Sequence, residues 1–273
     1  MIDNPRSPRV RAVAKLHKRD GRAETGQFLL EGPQAVGEAL RFRPDLVRSL
    51  YLTKAAAERH ADLVRAATVA RVELETVSNA VLDAMADTVT PQGVVAVATQ
   101  FRSTLDDVLA RAPRLVAILE EVRDPGNAGT ILRAADAAGA DAVVFSGKSV
   151  DPYNPKVVRS TTGSLFHVPH VVGVTLEAVV ERMRAARLQV LAADVSGEDL
   201  LAAREAGDLA RPTAWVFGNE AHGLSPERLA LADRALRLPI YGDAESLNLA
   251  TAASVCLYES AFAHRIGAAN AAS

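Results

Sequence analysis

The chain has 273 residues, 49% hydrophobic and 23% charged, with a formal net charge of −2 and a single cysteine. At about 150 residues per domain that length suits one large domain or two ordinary ones with a real core, and mixed charges on an ordinary apolar content exclude disorder. Cys256 has no partner for an internal disulfide, which excludes a stapled secreted scaffold and a thiolate zinc site, so a cytoplasmic, reducing compartment is expected. No run of 18 uncharged apolar residues suggests a membrane span.

Residues 1–22 hold seven Lys/Arg against Asp3 and Asp20. That reads either as a solvated basic tail or as a segment that attracts phosphates without reading sequence. Only 4% of residues are aromatic, and along the chain they form no cluster suited to base stacking. Residues 23–100 mix short apolar runs (FLLEG, VRSLYLT, GVVAVATQ) with helical ones (PQAVGEALRF, AAAERHADLVRAA), the pattern of a small α/β domain. Residues 101–113 read as a linker helix.

A regular alternation follows over 114–273. Strand RLVAILEEV, turn DPGNAG and short helix TILRAADAAG lead to strand ADAVVF, a helix across PKVVRSTTGSLF, strand VPHVV and helix LEAVVERMRAARL. Strands QVLAADV, TAWVF and ALRLPI come next, then a long helix from about Ser246 to Ile266. Uninterrupted apolar strands joined by helices predict a parallel sheet buried on both faces, whose ligands bind at the carboxyl ends of the strands. Three loops then matter: 123–130, 218–225 and 239–246.

Familiar site types are absent from those loops. DPGNAGT lacks the dinucleotide-binding glycine pattern, Gly218 and Gly223 have P-loop spacing without the lysine, and no metal-ligand pattern occurs. The first loop offers helix N-terminal N–H groups beside Arg133, a pairing that favours phosphate or a developing oxyanion. Arg133 could equally pair with Asp136 on the surface, and Asn127 could be a turn or cap residue. In the second loop Gly218 allows close approach to the backbone, Ser225-Pro226 is a helix start, and Glu220, expected to be buried, needs a partner such as Arg133 or backbone N–H groups. In the third, Ser246 reads as a cap and Asn248 as a residue inside the first turn, where asparagine is a mediocre helix former.

Taken in order, NAGTILRAADAAGA, FGNEAHGLSPE and LPIYGDAESLNLATAASVCLYE resemble the three motifs of the SpoU (TrmH-type) branch of the SPOUT RNA methyltransferases. FLLEGPQAVGEAL and TVTPQGVVAVA resemble the ribosomal-protein-like RNA-binding domain of many members. The resemblance implies a C-terminal α/β domain with a deep trefoil knot, preceded by a small α/β RNA-binding domain. It implies S-adenosyl-L-methionine bordered by Gly218, Asn219, Leu238, Ile240 and Leu247, and a polar active site of Asn127, Arg133, Glu220, Ser246 and Asn248. It further implies a homodimer in which Arg133 completes the partner's site. The implied activity is methylation of a ribose 2′-hydroxyl, with large-subunit (23S) ribosomal RNA favoured over tRNA. The rivals are a base-nitrogen methyltransferase and a non-catalytic RNA-binding or ribosome-assembly module on the same fold.

Overall fold

The computed structural model describes residues 1–271, with side chains to 266, and the chain divides into two compact units. One comprises Met1–Phe101 with Asp151–His167; the other comprises Arg102–Val150 with the remainder. The segment Asp151–His167, which lies within 114–273, groups with the first unit.

In the first unit, helices α1 (Pro8–Ala14) and α2 (Arg19–Thr25) precede strand β1 (Gln27–Glu31), helix α3 (Pro33–Phe42) and strand β2 (Val47–Thr53). Helices α4 (Lys54–Arg59) and α5 (Ala61–Val69), strand β3 (Glu73–Val77), helix α6 (Asn79–Met85) and strand β4 (Val94–Thr99) follow. The sheet order is β1-β4-β2-β3, with β4 antiparallel to both neighbours and β2 parallel to β3. Pro8 at the start of α1 and the Ser7 hydroxyl accepting from Val10 N (3.3 Å) begin the first helix.

That start overturns the solvated-tail reading of residues 1–22. Val10, Val13 and Leu16 are buried in one cluster with Leu29, Tyr51, Val81 and Met85. Arg9 binds Tyr51 Oη and Glu75. Arg22 is buried, donating to Asp151 and to the carbonyls of Leu16 and His17. Arg6, Arg11, Lys15, Lys18 and Arg19 remain exposed.

The second unit runs through α7 (Leu105–Leu109), β5 (Leu115–Glu120), α8 (Pro125–Ala138) and β6 (Ala142–Ser146). After α9 (Pro155–Thr161), which belongs to the first unit, it resumes with β7 (His170–Val174), α10 (Leu176–Ala185), β8 (Gln189–Asp199) and α11 (Leu200–Glu205). It ends with β9 (Thr213–Phe217), α12 (Pro226–Leu229), β10 (Arg234–Arg237) and α13 (Leu249–Ala271). All six strands are parallel in the order β10-β8-β9-β5-β6-β7. Val116, Ile118, Val144, Val190 and Val216 fill one cluster with Val179 and Met183 of α10, as the uninterrupted apolar strands require.

Two boundaries differ from expectation for the same reason. Helix α8 begins at Pro125, not Thr130, because the Asp124 carboxylate accepts from Asn127 N (2.7 Å) and caps it. Helix α13 begins at Leu249, not Ser246, because Asn248 Oδ1 accepts from Ala250 N (2.9 Å) and Thr251 N (3.2 Å). Asn248 is thus a cap outside the helix, the position where asparagine is favoured. Ser225 caps α12 as expected, accepting from Arg228 N at 3.3 Å.

Candidate active site

The carboxyl ends of β5 and β9 bring the first two loops together, and Asn248, just past the third, joins them. Glu220, in the loop after β9, accepts from Asp124 N at 2.9 Å through Oε1 and from Arg123 N at 3.1 Å through Oε2. Asn127 Nδ2 also donates to Glu220 Oε1 (3.3 Å), while Asn127 Oδ1 accepts from Asn248 Nδ2 (3.0 Å). Asn127, Glu220 and Asn248 therefore form one hydrogen-bonded chain across loops separated by up to 121 residues.

Glu220 is exposed rather than buried, and its partners are backbone amides and Asn127, not Arg133. The buried carboxylate at this end of the sheet is Glu120, which sequence reasoning missed. It ends β5, accepts from Ser146 Oγ at 2.5 Å, and has Arg228 Nε 3.3 Å from Oε1. A glutamate closing an otherwise apolar strand was the available signal. Glu120, Glu220, Asn219, His222, Ser225 and Arg228 line an open cleft of about 650 Å³.

Asn219 is held within its own loop. Its Nδ2 donates to Glu121 O (2.9 Å) and its Oδ1 accepts from Ala221 N (2.9 Å) and His222 N (3.3 Å). The Asn219 and Gly223 backbones also pair with each other, which gives Gly218 a steric reason to be glycine. A Cβ there would lie 2.7 Å from Gly223 C and 2.8 Å from its carbonyl O. Gly218→Ala is expected to destabilise the protein by about 1–3 kcal/mol through this backbone clash, read as a lower urea midpoint at unchanged slope. Gly242→Ala, with nothing within 4 Å, is the control expected to leave the midpoint in place.

Leu238, Ile240, Ser246 and Leu247 converge elsewhere, on a small recess of about 90 Å³. Ser246 thus joins the expected cofactor residues rather than the Asn127–Glu220–Asn248 chain. The recess has another wall, Ala193–Val195, that sequence reasoning did not single out. Pairing of β8 with β10 jumps from Ala192↔Ala235 to Glu198↔Leu236, so residues 193–197 leave the sheet at its carboxyl end. Gly197 permits their return, since a Cβ there would lie 2.4 Å from Ala235 C. Ile240, Leu247 and Val195 are large apolar side chains left exposed around this recess.

Arg133 stands apart. It lies on the exposed face of α8, six residues or roughly 240° around the helix from Asn127, and makes no hydrogen bond or ion pair among the described residues. Among those residues no group of three or more His, Cys, Asp or Glu could hold a metal ion, and no helix is long and apolar enough to cross a membrane.

A parallel α/β sheet with a polar chain and an apolar recess at its strand ends has the layout of an α/β protein that binds its ligand at the carboxyl ends of the strands, and comparison with known proteins narrows it. Residues 114–258 match the SpoU rRNA Methylase family, and residues 29–104 match the RNA 2′-O ribose methyltransferase substrate binding family. The chain belongs to the SpoU rRNA methylase family. It is 34% identical over 263 residues to the 23S rRNA (guanosine(2553)-2′-O)-methyltransferase RlmP of Bacillus subtilis, covering 94% of this chain and 97% of that protein. It is 32% identical over 254 residues to the 23S rRNA (uridine(2479)-2′-O)-methyltransferase of Streptomyces viridochromogenes, covering 90% and 86%. Among solved structures, AviRb from Streptomyces viridochromogenes in complex with AdoMet superposes with a TM-score of 0.82 at 32% identity, covering 96% of this chain and all of that one. An AdoMet-bound rRNA methyltransferase from Sinorhizobium meliloti gives 0.80 at 30%, covering 95% and 96%.

Proposed function

We propose that this protein transfers a methyl group from S-adenosyl-L-methionine to a ribose 2′-hydroxyl of 23S ribosomal RNA. The observation that carries the reading is the Asn127–Glu220–Asn248 chain, which gathers three distant motifs at one end of the sheet beside an apolar recess. Relatives at 32–34% identity that carry the 23S 2′-O activity in their names support the substrate.

The recess fits the cofactor by its chemistry: Leu238, Ile240 and Leu247 offer an apolar slot for an adenine, and the loop backbones around it offer N–H and C=O groups. When bound, the cofactor supplies an electrophilic methyl on a sulfonium. The chain's own residues position and stabilise. Glu220, committed to three donors, holds the first loop against the second rather than accepting the ribose proton. Arg133, without a hydrogen bond or ion pair among the described residues, is suited to grip a phosphate beside the target ribose and to stabilise the developing alkoxide. A guanidinium that keeps its proton at neutral pH is a poor general base, so the proton leaves through water or another group in the open cleft.

Arg133 is exposed on α8, where an acceptor from a second copy of the chain is able to reach it. Val255, Phe262 and Ile266 are exposed on one stripe of α13, and α13 packs on α8, the helix that carries Arg133. A homodimer through α13 covers that stripe and presents Arg133 to the partner's site. The trefoil knot is supported by the crossing from β10, at one edge, to Asn248, which bonds Asn127 after β5 three strands away. A cytoplasmic location accords with the single, buried thiol.

Methyl transfer from labelled cofactor to unmodified 23S rRNA, followed by nucleoside analysis, tests the reading. A 2′-O-methylated nucleoside is expected; a base-methylated product, or no transfer by a well-folded protein that binds the RNA, overturns it. Arg133→Lys is expected to keep RNA binding and lose turnover by more than tenfold, since an ammonium lacks the planar fork. Full turnover with an unchanged pH profile would remove Arg133 from the chemistry.

A further inference from the structure

Helix α3 of the first unit ends in Arg41-Phe42, Arg43 follows as its cap, and the fold adds to them a ring from far along the chain. Phe42 is 45% exposed, so one face of its ring is open to a ligand. The Arg41 guanidinium carbon lies 5.0 Å from the Phe42 centroid, and the His167 ring, brought from the Asp151–His167 segment, lies 4.2 Å away at 53°. The Arg43 guanidinium lies 5.0 Å from the Phe101 ring and is held by Asp45 at 3.0 and 2.9 Å. Arg41 has no hydrogen bond or ion pair among the described residues, so its charge is available to a ligand. An aromatic pair missing along the sequence, Phe42 with His167, is thus assembled in space, while Phe101 under Arg43 packs on Tyr153 and Phe166.

We infer that this cluster is an RNA-contacting platform, on which an unpaired base stacks against Phe42 and His167 while a flanking phosphate pairs with Arg41. The inference rests on the proposed function and deepens it. Exposed aromatic faces and guanidinium planes are the groups on which single-stranded bases stack. Glu38 Oε2 lies 3.0 Å from His167 Nε2 and holds that ring beside Phe42, which leaves Arg41 as the cation to which an RNA segment brings a phosphate in every nucleotide. Residue 42 also falls within the stretch that matches the substrate-binding family.

The test uses the full-length protein and unmodified 23S rRNA transcript, comparing wild type with Phe42→Ala, Phe42→Trp and Arg41→Gln. Phe42→Ala is expected to weaken RNA affinity roughly 5- to 100-fold, leaving cofactor affinity and the rate at saturating RNA unchanged. Arg41→Gln is expected to weaken binding and reduce the salt slope by about one. Phe42→Trp keeps affinity and its fluorescence is quenched by RNA, the one native tryptophan, Trp215, being buried. Wild-type affinity in both Phe42→Ala and Arg41→Gln, or an unquenched indole at saturation, overturns the inference. So does a Phe42→Ala protein that changes oligomeric state at constant RNA affinity, which would give the face to a protein partner. A wild type that neither binds nor methylates the transcript sinks the proposed function itself, a different result from a wild type that does both beside an unaffected Phe42→Ala.

Discussion

Glu220→Ala is expected to lower methyl-transfer turnover by about two orders of magnitude while leaving the melting temperature close to that of the parent protein. The carboxylate is exposed, so its removal leaves no cavity in the core. It nevertheless bridges Arg123 N, Asp124 N and Asn127 Nδ2, and through Asn127 it reaches Asn248 and the start of α13. Misplacing reacting groups by about 1 Å can cost 10²-fold in rate, and this bridge sets the separation of three motif loops. Glu220→Gln is expected to be nearly as damaging. Both carboxylate oxygens already accept a backbone N–H, so an amide must turn its NH₂ toward one of those donors. Asn248→Ala acts on two fronts, losing the link to Asn127 and a helix cap of about 1 kcal/mol. Single-turnover rates at saturating RNA and cofactor measure all three, and full turnover in Glu220→Gln would remove the bridge from the account.

The strands of the second unit were legible because a parallel sheet buried on both faces leaves uninterrupted apolar runs, and the three motifs were legible because they interrupt those runs with Gly, Asn and Glu. What sequence could not show was set by distant partners. Glu220 was expected to be buried by its place near a sheet end, yet the loop turns outward and Glu120 takes the buried position with Ser146. Strand β3, ELETV, carries two glutamates on a partly exposed edge strand and gave no apolar run to read. Residues 193–197 looked like the end of an ordinary strand, because a departure from the sheet shows only in the partner's register. Local charge counted Arg9 and Arg22 as free cations, although Glu75 and Asp151 lie 66 and 129 residues away.

Arg22→Ala is accordingly expected to destabilise the protein by about 3–5 kcal/mol, the range for removing one partner of a buried ion pair. Its side chain is only 3% exposed. Nε and Nη2 donate to Asp151 Oδ2 at 2.9 and 2.8 Å, and Nη1 donates to Leu16 O and His17 O, both at 2.9 Å. Alanine removes both donors to Asp151 Oδ2, leaving that carboxylate the Tyr153 N–H on Oδ1 (2.9 Å), and takes a donor from two carbonyls at once. Because Asp151 opens the segment that returns to the first unit, the loss should loosen Asp151–His167 before the parallel sheet melts. Amide exchange is then expected to rise in that segment and in α1–α2 while β5 and β9 stay protected. Arg22→Met/Asp151→Leu removes both charges and should recover part of the loss, since a well-packed apolar pair can replace a buried ion pair at little net cost. The same structure predicts that removing residues 1–22 to test for RNA binding would strip Val10, Val13 and Leu16 from a core cluster. Exchanging the exposed Arg6, Arg11, Lys15, Lys18 and Arg19 for glutamine tests the electrostatics without that damage. A deletion that preserved the urea midpoint would show that these helices contribute nothing to the fold, and the value assigned to Arg22 would fall with them.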